Sequence, residues 1–480
     1  MAYERLSAQD SAFLHVEKPQ QPMHVGSLGI LDGGPLHDEH GRFKIDEARD
    51  VIASRLHLVP RFRKKVLFVP LQQGRPVWVD DEQFDLAYHV RLTALPKPGS
   101  EEQLLALFAR IQGHLLDRRR PLWELWFVEG LEGGRVATIQ KTHHCMVDGV
   151  SGVDVATVLF DLSPEVTQLE PPPWKASPSP SPTQLMLESV VERAVEPAEI
   201  VRTARAAWRG PRRVLDRTRD LARVVVSTVP QAPKMPWNVP ISPHRRWVPV
   251  RVPLAEAKAI KDAASADPRF GGRITLNDVV LASVTAGLRA FLESRDEPLD
   301  PGLELKAMCP VTMRPKEERD AAAAQGSAAL GNRVSMMTAA LPVGLEDPAD
   351  RLRAVSEVMR TLKESGDAVS ADMLVQMTNY VPPTVLAMAS RLLVGSRAVN
   401  LTVTNVPGPQ FPLYCLGAEV LEAFPYVPIL DGQALCVAIL SYNGQLEFGI
   451  TTDRDVMPDI PVFADGIRDG FRELAKAVPS

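Results

Sequence analysis

Two spacings of apolar residues alternate along this chain, and each predicts a different element. Short β-type runs bounded by turn residues predict strands. "PLWELWFVEGL" (121–131) and "RVATIQKTHH" (135–144) are such runs, and Glu132-Gly133-Gly134 between them predicts a hairpin. "HRRWVPVRVPL", "LELKAMCPV", "AVNLTVTNV" and "ALCVAILSYNGQLEFGITTD" predict further strands in the second half. Helical spacing appears in "SGVDVATVLFDL", where Val153, Ala156, Val158 and Leu159 recur on one side and Ser151 is placed to cap. It appears again in "ITLNDVVLASVTAGLRAFL", which turns Val280, Val284 and Leu288 inward after a capping-box pattern of Thr275 and Asp278. Strands alternating with helices in both halves imply an α/β fold with mixed sheets.

Proline divides the pattern. "LSPEVTQLEPPPWKASPSPSPTQ" (162–184) reads as a linker, because proline removes backbone donors and favours extended chain. A helical stretch follows from about Pro182 to Val226, and "TVPQAPKMPWNVPISPHRRW" closes the segment. The expected division is therefore 1–165, a connector over 166–242, and 243–480.

The 480 residues suffice for two or three domains with proper cores. Hydrophobic residues at 45% and charged residues at 24% exclude a disordered chain. A net charge of −5 gives no global attraction to nucleic acid or anionic lipid. Cys145, Cys309, Cys415 and Cys436 are scattered, which argues against a zinc knot or a disulfide framework. The N-terminus lacks the apolar core of a secretory signal, and no apolar run reaches the roughly 20 residues that span a bilayer. A cytoplasmic location is the expectation. Between Arg202 and Arg223, eight arginines stand against Asp216 and Asp220 with apolar residues interleaved. Such a segment suits either a solvated bridge between domains or a helix lying on anionic lipid.

Candidate chemistry concentrates in "KTHHCMVDGVSG", from Lys141, at a strand-to-helix turn. Adjacent histidines on a strand point to opposite faces, so a shared metal ion is disfavoured. One histidine could equally be a satisfied core residue. Gly149 permits a tight turn, and Asp148 can orient the loop. A neutral imidazole is the natural base for a hydroxyl at pH 7. No G-x-S-x-G elbow is present, so the nucleophile belongs to the substrate; nothing in the sequence activates Cys145.

"HHCMVDGVSG" resembles the HHxxxDG motif of the bacterial wax ester synthase/diacylglycerol acyltransferase family, whose HxxxDG core is shared with other CoA-dependent acyltransferases and peptide-synthetase condensation domains. "LSAQDSAFLHVEKPQQPMHVG", "PLWELWFVEGL", "ITLNDVVLA" and "TNVPGPQFPLY" resemble further segments of that family in the same order, over nearly the whole chain. The resemblance implies two chloramphenicol-acetyltransferase-like domains joined by the proline-rich helical connector, with the site between them. It implies transfer of a fatty acyl group from acyl-CoA to diacylglycerol or a long-chain alcohol, with acyl-CoA as co-substrate and no cofactor. The register makes His144 the base, His143 a positioning residue, and Asp148 a loop-ordering residue partnered by Arg314 or Arg333. Gly149, Asn277, Thr404 and the Pro121-Leu122-Trp123 segment are then substrate-site candidates, and Asp278 a cap. Lipid substrates imply peripheral contact with the inner face of a membrane or with lipid inclusions, and no nucleic acid. Two other readings stay open: a non-catalytic lipid binder of this fold, and a condensation-type enzyme using carrier-protein thioesters.

Overall fold

The runs read as strands assemble into two six-stranded mixed sheets in a computed structural model, which describes residues 3–70, 74–146, 159–194, 231–312, 334–364 and 397–479. The first half contributes β1 (Glu4–Arg5), α1 (Ala8–Val16), β2 (His24–Leu31), α2 (Ile45–Arg55), β3 (Lys64–Leu67) and β4 (Val77–Asp80). It continues with α3 (Leu86–His89), β5 (Val90–Ala94), α4 (Glu101–Gly113), β6 (Trp123–Glu129) and β7 (Val136–His143). Helix α5 (Pro182–Ala194) lies in the connector. The second half begins with β8 (Arg245–Pro253), α6 (Leu254–Ala266), α7 (Leu276–Glu293), β9 (Leu305–Thr312), β10 (Val334–Leu341) and α8 (Pro348–Glu364). It ends with β11 (Leu401–Pro407), β12 (Tyr414–Cys415), β13 (Ala418–Tyr426), β14 (Leu435–Tyr442), β15 (Gln445–Asp453) and α9 (Ile460–Ala477).

The first sheet runs β12-β13-β2-β7-β6-β5 and the second β10-β9-β11-β14-β15-β8. The β6–β7 hairpin turns as expected, with Gly133 and Gly134 at φ of 77° and 70°, which only glycine adopts without strain. Each sheet has its own core. Leu31, Trp78, Phe127 and Val136 centre the first, and Val284, Leu288, Ile439 and Phe463 the second.

Two strands, β12 and β13, cross between the halves. β13 belongs by sequence to the second half, yet it pairs antiparallel with β2 in the first sheet. Its Phe424 and Tyr426 pack with Leu28, Phe108 and Trp247 in a shared core at the junction. Gly449 on β15 allows that approach, since a Cβ there would fall 1.9 Å from the Pro425 carbonyl oxygen. A polar clasp reinforces it: Arg251 of β8 donates twice to Glu422 of β13, at 2.8 and 2.8 Å, and once to Glu101 of α4 at 2.7 Å.

Beside that clasp, Glu447 is almost fully buried and accepts the Ala423 amide at 2.6 Å. Burial pushes its carboxyl up to about 8, with Glu422 adding to the rise and the Ala423 hydrogen bond opposing it. The folded chain therefore holds a proton that the unfolded chain releases near the usual glutamate value, so stability falls as pH rises from about 4.5 to about 8 and levels off above. Glu447→Gln is expected to flatten this slope. Urea midpoints at pH 5 and pH 8.5 check it: the variant loses less between them than the wild type does.

The connector begins as a strap on the first half. Thr167 accepts the buried Arg55 guanidinium, the Ser177 amide donates to Asp80, Trp174 lies under Arg63, and Leu185 of α5 is buried against Val69, Val77 and Val79. The composition suggested free linker. Leu185 is the buried apolar anchor that holds it down, and the exposed Trp174 adds its contact with the Arg63 guanidinium.

Candidate active site

Strand β7 ends at His143, and a single 3-10 turn, His144–Met146, follows. β7 lies beside β2 with His24 directly opposite His143, their rings 5.8 Å apart edge to face. Alternation along β7 puts Lys141 on the same face as His143. Lys141 is buried, and its Nζ donates to the Ile111 and His114 carbonyls at 2.8 and 2.5 Å, satisfying the exposed end of α4. Burial pushes this ammonium down to about 8.

The two histidines go different ways. His143 is fully buried, with its Nδ1 accepting the Cys145 amide at 3.1 Å and its Nε2 facing Glu17 Oε1 at 3.3 Å. An Nδ1 that accepts carries no proton, so the ring is the Nε2–H tautomer. Glu17 follows the last turn of α1. Its Oε1 also faces His24 Nε2 at 3.4 Å and accepts the Met23 amide at 3.1 Å, while Oε2 accepts Arg118 at 2.8 and 3.2 Å. Burial would raise the Glu17 carboxyl, but its contacts with His143 and His24 hold it well below the usual carboxylate range. Burial pushes His24 down to about 3.

His144 is only half-buried. Its amide donates to the Met23 carbonyl at 2.8 Å, and its ring stacks on Phe13 of α1 at 3.9 Å and 19°. Nδ1 is enclosed without a hydrogen-bond partner among the described residues. Burial, joined by the nearby His143, pushes the ring down to about 4, so it is neutral at pH 7. Cys145 is buried and its thiol is raised well above the ordinary value by burial, which leaves it inert as a nucleophile. Among the described residues no cluster of histidine, cysteine and carboxylate side chains suits a metal ion.

A second cluster forms in the other half. Thr275 caps α7, accepting the Asp278 amide at 3.3 Å while Asp278 accepts the Thr275 amide at 2.8 Å. That assigns Asp278 to the cap. Asn277 in the first turn accepts from Asn405 of β11 at 3.3 Å, next to Thr404. β11 pairs with β14 as far as Pro407, but with β9 only at Leu401 and Thr402. The two parallel strands part there, toward their carboxyl ends and near the start of α7. Sheets of this kind bind ligands at such places.

Of the residues singled out from the sequence, Asn277 meets Asn405 of β11, the residue after Thr404, and His143 and His144 stand at the end of β7. Asp148, Gly149, Arg314 and Arg333 lie outside the described residues, as does the arginine-rich stretch 202–223. Pro121, Leu122 and Trp123, the other substrate-site candidates, are all buried. Trp123 is sandwiched between Phe62 and His89 at 4.9 and 4.6 Å and donates to the Phe62 carbonyl at 2.8 Å. The Leu122 carbonyl accepts the His143 amide at 2.9 Å, so the segment anchors the histidine strand. Glu17, Arg118 and Phe13 were missed. Glu17 and Phe13 sit in the quoted N-terminal stretch, but nothing in their spacing connects them to residues 143 and 144.

Comparison with known proteins agrees on one group. The profile of the wax ester synthase/diacylglycerol acyltransferase catalytic domain matches residues 6–280, and that of the WS/DGAT C-terminal domain matches 330–475. Two Mycobacterium tuberculosis proteins with provisional designations as diacylglycerol O-acyltransferases are 32% identical over 481 residues and 33% over 478. Each alignment covers 98% of this chain, and 90% and 95% of the respective relative. The solved wax ester synthase/diacylglycerol acyltransferase of Marinobacter aquaeolei VT8 superposes with a TM-score of 0.68 at 27% identity, covering 98% of both chains. The starter condensation domain of rhizomide synthetase, at 12% identity and a TM-score of 0.55 over 99% of this chain and 94% of its own, shares the fold.

Proposed function

Because this chain belongs to the wax ester synthase/diacylglycerol acyltransferase family, we propose that it moves a fatty acyl group from acyl-CoA to the hydroxyl of diacylglycerol or a long-chain alcohol, with His144 as general base. The observation that carries the assignment of the base is the division of the pair: His143 is locked inward, and His144 presents a neutral, half-buried ring at the end of the strand.

The Nδ1 edge of His144 is enclosed, so Nε2 takes the acceptor's hydroxyl proton. The oxygen attacks the thioester carbonyl, the carbon–sulfur bond breaks, and the imidazolium returns the proton to the CoA sulfur. A base whose cation is disfavoured by burial gives that proton up readily. Asn277 and Thr404, beside the strand gap, are the groups proposed to bind the acyl thioester. The chemistry needs acyl-CoA as co-substrate and no cofactor. Both substrates carry long chains, so the reading places the enzyme on a membrane or lipid-inclusion surface at the cytoplasmic side. Among the described residues no helix is long and apolar enough to cross a membrane, while Val406 and Phe411, just past Thr404 and Asn405, are about half exposed.

Thiol release from palmitoyl-CoA, with diolein in vesicles or hexadecanol as acceptor, tests this. Acceptor-dependent release, with protein pelleting alongside the vesicles, is the expected result; release that ignores the acceptor would sink the transferase reading.

The pH profile tests the base. The folded ring titrates about 4 against 6.5 for a free imidazole, so between those values the unfolded chain binds a proton that the folded chain does not. Stability contributed by the neutral ring is lost as pH falls through that window, and the rate keeps its full base form down to about pH 5. A kcat/KM profile with its acid limb near 6.5 would contradict the enclosed ring.

A further inference from the structure

The histidine pair is tied to one carboxylate. Glu17 Oε1 faces His143 Nε2 at 3.3 Å, and His143 Nδ1 accepts the amide of Cys145, the residue that follows His144. The same oxygen accepts the Met23 amide at 3.1 Å, and the Met23 carbonyl accepts the His144 amide at 2.8 Å. Two short routes thus run from a single atom to the backbone on either side of the His144 Cα. We propose that Glu17 is the positioning residue of the active-site histidine, clamping the turn that carries His144 through His143 and through Met23. This inference rests on the acyltransferase reading above.

The clamp requires a carboxylate. Oε1 accepts the Met23 amide and lies 3.3 and 3.4 Å from His143 Nε2 and His24 Nε2, so its negative charge faces two buried imidazole edges where a neutral amide would present none. Oε2 takes both the Nη2 and Nε protons of Arg118, whose Nη2 also donates to the Leu14 carbonyl at 2.9 Å. An amide NH2 in place of Oε2 would point donors at donors. Arg118 supplies the balancing charge, and its side chain is 37% exposed against 2% for Glu17, so water shares the solvation of the cation but not of the anion. Helix α1 completes the arrangement. Phe13, one turn before Glu17, is the ring on which His144 stacks, so tether and platform move as one unit.

The test is Glu17→Gln, assayed for palmitoyl-CoA turnover with kcat and KM separated and melting recorded. Misplacing a base by a fraction of its reach costs rate, not substrate affinity, so kcat falls roughly 10- to 100-fold while KM stays within about two-fold. Combining it with His143→Ala loses much less than the product of the single losses, because both act on the same turn. A folded Glu17→Gln with wild-type kcat, or strictly additive losses, would overturn the proposal. Should the variant not fold, ¹⁵N spectra of wild-type imidazole nitrogens decide. The clamp demands His143 protonated at Nε2 and bare at Nδ1; the opposite tautomer, or a doubly protonated ring, refutes it. That spectrum needs no turnover, so an inactive wild type would defeat the acyltransferase reading and leave the clamp separately tested.

Discussion

Replacing His144 with alanine lowers acceptor-dependent CoA release by about 10²–10⁴-fold, the usual contribution of a general base, in a protein that still folds. The reason for retained folding is local. The ring is half-buried, its Nδ1 has no hydrogen-bond partner to orphan among the described residues, and the tie to Met23 comes from the backbone amide, which alanine keeps. What the fold loses is the stack on Phe13, an aromatic contact on the order of 1 kcal/mol. Circular dichroism melting and the thiol assay on the same sample separate the two effects. A folded His144→Ala with wild-type turnover would remove this residue from the mechanism. His143→Ala, by contrast, leaves Glu17 and the Cys145 amide without their shared partner, so it is expected to lower both the melting temperature and the rate.

Gly470→Leu is expected to cost about 3 kcal/mol, at the upper end for overpacking, and to lower melting by roughly 6–12 °C. Helices α7 and α9 meet through glycines. A Cβ on Gly470 would lie 2.8 Å from the Ala286 Cβ and 3.1 Å from the Ser283 Cα, and one on Gly466 would lie 2.9 Å from the Gly287 Cα. From the other side, a Cβ on Gly287 would fall 2.8 Å from the Phe463 carbonyl oxygen. Most of these obstacles are backbone or fixed Cβ atoms, which cannot rotate aside, so the helices must separate. The consequence reaches the candidate site. α7 carries Asn277 at its first turn, and shifting the helix breaks the contact with Asn405 on β11. Differential scanning calorimetry checks the magnitude; a Gly470→Leu protein melting within 2 °C of wild type, within the range of a neutral substitution, would show that the helix pair yields.

Local chemistry carried much of this protein's description. The β6–β7 hairpin follows from alternating apolar runs and two glycines that tolerate positive φ. The α7 start follows from Thr275 and Asp278, because a capping box is complete within four residues. The order of PLW, HHxxxDG, ND and NVPGP segments pointed to the family, since each is a contiguous string. The strand β13 was not read out, and neither was its place. It borders β2, nearly 400 residues away, and its polar contacts depend on Arg251, Glu101 and Glu447 arriving from three other elements.

The same limit applies at the site. Sequence alone determined that a histidine pair ends a strand. Tertiary structure decided which way each ring turns, because that depends on a carboxylate at position 17, an arginine at 118 and an aromatic ring at 13 that share no spacing with residues 143 and 144. It also set Trp123 in the core, stacked against Phe62 and His89. Hydrogen-bond periodicity acts over a few residues and is visible in any short stretch. Burial and charge pairing act across whatever the fold brings together, and those partners exist only once the chain has closed.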